Sequence, residues 1–328
     1  MSVTFAQGFS AAGVAAGISA VEGKKDLALV VNNGPLDAAA GVFTSNRFCA
    51  APVQWSRNIV SDGHVKAVIL NSGGANACTG EAGYAQSVTT AETVAGLIGA
   101  EPNDVAVCST GLIGELLPLD NVLAGAKSAH EALAATAEAG ADASHAIMTT
   151  DTKPKTVELT GSNGWKIGGM VKGSGMIAPQ LATMLCVITT DAVVSAGQMQ
   201  AALAVAAEHS FNRIDVDGCM STNDTVLLLA SGASGVEPDK DEFNKLVREA
   251  CVSPVPPDHR RRRRCLPTTF ASPSPVPPAK TRHLPVVVPS PPRTCSSAPS
   301  PATIRTGAAS SAPWALCRLK SRLTIRTR

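Results

Sequence analysis

Along most of the chain, apolar residues recur in two different periods. Asp26–Asn32 (DLALVVN) and Val65–Leu70 (VKAVIL) are short β-rich runs, each leading into Asn and Gly, and they read as buried strands. Val105–Cys108, Thr156–Leu159, Trp165–Val171, Met184–Thr190 and Val226–Ala230 read the same way, the first of them broken by Ser109-Thr110-Gly111. Between them the spacing turns helical. Glu81–Gly99 carries apolar residues at helical intervals, and Ala-rich Leu117–Ala139 puts Glu131 and Glu138 on its wet side. Ser195 is a good N-cap for a helix over Ala196–Phe211, and Asp239 opens an amphipathic helix reaching about Cys251. Strands alternating with helices predict an α/β fold, with mixed sheets layered with helices.

After Cys251 neither period survives. Val252–Arg328 holds 15 of the 22 prolines, five consecutive arginines (Arg260–Arg264) and a single glycine, Gly307. Such a stretch buries too little apolar surface to offset its ordering entropy and is expected to be disordered. Charge divides at the same point. Met1–Cys251 has 14 Lys/Arg against 25 Asp/Glu, a net of −11, and Val252–Arg328 has 14 against Asp258 alone, a net of +13. The formal total of +2 is therefore a cancellation and says nothing of partners.

Nine cysteines occur without a C-x-x-C pair or a Cys/His cluster, which argues against zinc and against a disulfide scaffold and fits a reducing compartment. Phe9–Ala20 (FSAAGVAAGISA) has the apolarity of a signal-peptide core, but no Lys or Arg precedes it and Lys24 and Lys25 follow it. No apolar run approaches the ~20 residues a membrane span needs. The expectation is a cytoplasmic protein that uses no metal and no membrane.

Four stretches could carry chemistry: NSGGANACTG (71–80), CSTGLIGE (108–115), IMTTD (147–151) and KGSGMIAPQLATMLC (172–186). Gly73, Gly74, Gly80 and Gly111 follow strands, where backbone N–H groups can cradle an oxyanion, although each alone also fits an ordinary turn. Lys172 alone would read as a solvated lysine. No G-x-x-x-x-G-K-[ST] is present, so a P-loop is unsupported. His145 lacks a partner at recognisable spacing, and Cys108 and Cys186 read as inert core thiols. Thr183 stands apart because no histidine or carboxylate neighbours it in sequence. A threonine hydroxyl needs a base, and one source is the α-amine of the same residue once it becomes N-terminal, with a pKa near ~8. That requires scission of Ala182–Thr183, for which a Gly-Ser-Gly turn and Pro179 suit the approach segment. From spacing alone, a core threonine is the commoner reading.

The ordered set NSGGANACTG, CSTGLIG, IMTTDT, GGMVKGSGMIAPQLATML and DVDGCMSTNDTVLLLASG resembles the ornithine acetyltransferase / glutamate N-acetyltransferase (ArgJ) family over Phe9–Cys251. The resemblance implies an ArgJ/DmpA-like self-processing fold. It implies scission at Ala182–Thr183 and an acetyl group carried by Thr183 between N2-acetyl-L-ornithine and L-glutamate. Thr110 and Gly111 would form the oxyanion-stabilising pair. Lys172 would hold a substrate carboxylate beside Thr149 or Thr150, a choice the sequence leaves open. Asn223 and Asp224 fall in a family-like motif and read as structural. The chemistry needs no cofactor, and bifunctional members also accept acetyl-CoA as a substrate. An α2β2 heterotetramer of cleaved chains is implied, with no nucleic acid as partner.

The implied organisation is 1–182 as an α-chain domain, 183–251 as the start of a β-chain domain, and 252–328 as a basic tail. The family's second chain continues with an E-G-A-T-K-type and a D-P-N-W-G-R segment, and neither is present. Pro301–Ala309 (PATIRTGAA) has a permitted coding that, read from its third base, gives Gly-Asn-Asp-Pro-Asn-Trp-Gly-Arg. The tail thus reads as out of frame, and this copy as inactive without repair. Two alternatives stand beside the acetyltransferase: a related self-processing aminopeptidase, and a polyanion-binding protein using Arg260–Arg264.

Overall fold

A computed structural model describes residues 2–176, 184–214 and 218–252. The expectations for the basic tail, for Arg260–Arg264, and for Ala182 and Thr183 lie outside these residues.

Nine strands form two sheets among the described residues. The first comprises β1 (Phe9–Val14), β2 (Leu27–Asn32), β4 (Ala67–Gly74) and β5 (Val105–Leu112), in the order β1-β2-β4-β5. Its first two pairings are antiparallel, and β4 and β5 run parallel, so their C-terminal ends finish side by side. The second sheet has the order β3-β9-β8-β7-β6, from β3 (Ala38–Phe43), β9 (Thr225–Ala230), β8 (Leu185–Thr190), β7 (Lys166–Lys172) and β6 (Lys155–Thr160). Only β8 and β9 pair in parallel there.

The two-residue period of the strands partitions the interior. Leu185 and Val187 of β8, with Leu227 and Leu229 of β9, join a core shared with the first sheet. Their neighbours Cys186, Ile188, Val226 and Leu228 face the other way, into a second core. Helices α1 (Ala51–Ile59), α2 (Gly80–Ile98) and α3 (Leu119–Glu131) bury Trp55, Val94 and Val122 in the first core. Helices α5 (Ala196–Glu208) and α6 (Lys240–Val252) bury Leu203, Phe243 and Val247 in the second. Ser195 caps α5 in a capping box with Gln198, and Asp239 accepts the Asp241 and Glu242 N–H groups at the start of α6.

Three of the expectations from the sequence are corrected, and β3 and α1 add elements where none was expected. The helix expected over Leu117–Ala139 is two helices, α3 and α4 (Ala137–Ala146). The break arises because Ala134 exchanges backbone hydrogen bonds with Ala11 of β1, and the Thr136 hydroxyl then caps α4 at Ala139. Phe9–Val14, the first half of the signal-like stretch Phe9–Ala20, is β1 and pairs in full register with β2. The strand expected to stop at Cys108 runs on through Ser109, Thr110 and Gly111 to Leu112. No helix of the described residues is long and apolar enough to cross a membrane.

Candidate active site

Close approach of two backbones forms the floor of the site. Gly73 and Gly111 are paired in the β4/β5 ladder, with φ of +117° and +138°. A Cβ on Gly111 would lie 2.3 Å from the Gly73 carbonyl carbon, and one on Gly73 would lie 2.9 Å from the Ile18 carbonyl. Glycine is required at both positions by conformation and by space. Ile18 is held there because the buried Asp26 carboxylate accepts the N–H groups of Ala16, Ile18 and Ser19, each at 2.7 Å.

From the second sheet, Lys172 ends β7 and extends into the interior with only 2 % of its surface exposed. Its ammonium donates to Thr110 Oγ1 at 3.0 Å, joining the ends of β7 and β5. Burial pulls the Lys172 pKa down to about 8 against the opposing attraction of Asp151 and Asp224. The backbone beyond Lys172 is clamped from below. Asp151 Oδ1 accepts the Gly173 N–H at 2.9 Å and an ion-paired hydrogen bond from Lys155, which also donates to the Gly173 carbonyl at 2.7 Å. Asp151 is buried, yet the Lys155 ammonium and the Gly173 N–H hold its carboxyl below the usual carboxylate range.

Asn223 locks the two sheets together. Its side-chain amide donates to the carbonyls of Ala75 at 2.6 Å and Ser109 at 2.8 Å, just beyond β4 and within β5. The adjacent Asp224 is fully buried. Its Oδ1 accepts the Met184 N–H at 3.1 Å, and among the described residues its Oδ2 has no hydrogen-bond partner. Burial drives the Asp224 pKa up to about 7, with the Met184 N–H and the Lys172 charge acting against it.

The sign follows from linkage. A carboxyl that is protonated more readily when folded contributes fully at pH below its ordinary value near 3.8, and that contribution is lost as pH rises through about 7. Asp224→Asn should therefore gain on the parent by up to roughly 4 kcal/mol between about pH 4 and pH 7. Denaturant unfolding across that range measures it. A pH-independent difference would mean that Asp224 is charged throughout.

The structure joins Thr110, Gly111 and Lys172 into one cluster. Thr149 and Thr150 border it without being joined to its centre. The Thr149 N–H donates to Asp151 at 3.4 Å, whereas the exposed Thr150 hydroxyl bonds Ser174 in the Gly-Ser-Gly turn. Met184, the residue bonded to the Thr183 carbonyl, leads directly into β8, which touches β5. His145 is exposed on α4 and bonds the Ala141 carbonyl. Cys108 is buried, with its thiol pushed up to about 12. Asp151 closes the IMTTD stretch, and neither it nor Lys155 was given a role from the sequence. Their signal was a charged pair spaced i, i+4 whose lysine opens β6. Among the described residues no cluster of three or more His, Cys, Asp and Glu is placed to hold a metal.

Fold and site define an α/β protein in which two mixed sheets meet at a buried Thr-Lys-Asp cluster closed by paired glycines. The ArgJ family model matches residues 10–253, and the chain belongs to the ArgJ family. It is 97 % identical over 253 residues to the arginine biosynthesis bifunctional protein ArgJ of Bifidobacterium longum, covering 77 % of this chain and 65 % of that one. The protein of the same name from Mycobacterium leprae is 58 % identical over 254 residues, 76 % of this chain and 62 % of its own. The chain thus spans just under two thirds of the length of these curated relatives. Among solved structures, ornithine acetyltransferase complexed with ornithine from Mycobacterium tuberculosis is 51 % identical, with a TM-score of 0.54 over 56 % of this chain and 96 % of that chain. The Bacillus halodurans arginine biosynthesis bifunctional protein ArgJ is 37 % identical, with a TM-score of 0.50 over 56 % and 95 %.

Proposed function

We propose that residues 9–252 carry the self-cleavage and acetyl-transfer chemistry of a glutamate N-acetyltransferase / ornithine acetyltransferase of arginine biosynthesis. The observation that carries this reading is the convergence of the β5 end, the β7 end and the start of β8 on one buried cluster, within a chain of this family. In maturation, the Thr183 hydroxyl attacks the Ala182 carbonyl carbon. The peptide C–N bond breaks in favour of an ester, and water hydrolyses that ester to leave an Ala182 carboxylate and a Thr183 α-amine.

In turnover, that amine takes the hydroxyl proton as Thr183 attacks the acetyl carbonyl of N2-acetyl-L-ornithine. The Thr110 hydroxyl and the Gly111 N–H stabilise the tetrahedral oxyanion, ornithine leaves with the proton, and L-glutamate then accepts the acetyl group from the ester. Lys172 and one of Thr149 and Thr150 line the substrate. No cofactor enters, and acetyl-CoA is a second acetyl donor to be assayed in parallel. The reading includes a cytoplasmic α2β2 assembly of cleaved chains.

Acetyl exchange is expected to be negligible in the chain as written and to appear once the family's reading frame is restored beyond Val252. In that frame-restored chain, Thr110→Ala should slow glutamate acetylation from N2-acetyl-L-ornithine on the order of 10²-fold. Unchanged turnover would mean that Thr110 only packs, and hydrolysis of amides in place of glutamate acetylation would favour the aminopeptidase.

A further inference from the structure

We infer that Lys172 is a positioning residue for the Thr110 hydroxyl, holding it in one χ1 rotamer with its proton turned away from the ammonium. The inference rests on the proposed oxyanion role of Thr110 and adds to Lys172 a task distinct from holding a substrate carboxylate. It starts from the donor and acceptor inventory. A threonine hydroxyl has one proton to give and two lone pairs to offer, and an ammonium group can only donate. At 3.0 Å, Lys172 Nζ therefore occupies a lone pair of Thr110 Oγ1 and excludes the hydroxyl proton from that direction.

The remaining freedom of Thr110 is small. The residue is buried, at the end of an eight-residue strand whose next position, Gly111, lies against the Gly73 backbone. With the ammonium on one side, the O–H is turned away from Lys172, and the positive charge behind it makes the hydroxyl a stronger donor.

The anchoring of Lys172 is equally explicit. Gly173, the next residue, is bonded through its N–H to Asp151 and through its carbonyl to Lys155, so the end of β7 cannot shift without breaking its hydrogen bonds to a buried ion pair. Asp151, Lys155, Asp224 and Lys24 are the charged groups acting on Lys172. Among the described residues, its hydrogen bond is to neutral Thr110 and not to a carboxylate. A lysine serving only as a counter-ion would sit on one of those acids.

Two measurements test the inference, and the first needs no turnover. In the full chain labelled with ¹³C,¹⁵N-threonine, three-bond couplings from the Thr110 methyl carbon to the backbone nitrogen and carbonyl carbon read its χ1 rotamer. The parent should show one rotamer, Lys172→Met an average of several, and Lys172→Arg, which keeps a cationic donor, one rotamer again. Parent-like couplings in Lys172→Met overturn the inference. Should Lys172→Met not fold, Lys172→Leu replaces it, with averaging supporting the inference and parent-like couplings overturning it.

The second measurement is a double-mutant cycle in the frame-restored chain. Lys172→Met should lower kcat on the order of 10²-fold beside Thr110 but less than about threefold beside Thr110→Ala, because the group it positions is then absent. An equal loss in both backgrounds, or a loss confined to KM, would assign Lys172 to the substrate alone. If the frame-restored parent transfers no acetyl group, the proposed function fails while the rotamer result still decides the positioning role.

Discussion

Replacing Gly111 with alanine is expected to destabilise the protein by about 3 kcal/mol or more, lowering the melting temperature on the order of 10 °C. Two independent costs add at this position. The backbone sits at a φ of +138°, which an L side chain rarely adopts, and the new methyl carbon would lie 2.3 Å from the Gly73 carbonyl carbon and 2.6 Å from the Gly74 nitrogen. All the neighbours are backbone, so no rotamer change relieves the overlap. Relief requires separating the ends of β4 and β5, and Asn223 resists this by bonding the Ala75 and Ser109 carbonyls together. The site should suffer more than the fold, because Thr110 is the preceding residue and moves with the strand end. Thermal unfolding of the two chains decides the point. A variant melting within a degree or two of the parent would show that the ladder has room to open.

Legibility in the sequence varied with how far each feature depends on its own residues. Strands β2, β8 and β9 each hold four or more consecutive apolar residues and are buried along their whole length, and such runs announce themselves. Helices α5 and α6 carry their own caps in Ser195 and Asp239. Strands β1 (FSAAGV) and β3 (AAAGVF) are Ala- and Gly-rich, and become strands because β2 and β9 offer them a full antiparallel ladder. The division between α3 and α4 depends on a contact between Ala134 and Ala11, far apart in sequence, which no local period encodes.

The same distinction holds at the site. Thr110, Gly111 and Lys172 were named through the family resemblance, whereas the glycine-flanked motifs alone read as an ordinary turn and a solvated lysine. The Asp151–Lys155 pair and the buried Asp224 carboxylate were not readable. A carboxylate beside a turn has the sequence appearance of a solvated one, and only the packing of the second sheet against the first removes the water.

Thr183→Ala is expected to have the largest effect of all on the chemistry, removing both the attacking oxygen of self-cleavage and the acetyl carrier. No other group is proposed for either task, so the loss should be complete and not graded. Self-cleavage is also the claim on which the account turns, since without it Thr183 has no base and reverts to an ordinary core threonine. Intact-mass measurement of the purified chain tests this most directly. The account predicts two polypeptides, Met1–Ala182 and Thr183–Arg328, from the parent and one uncleaved chain from Thr183→Ala. A parent that stays whole when folded, cleavage at another bond, or cleavage that persists in Thr183→Ala would contradict it.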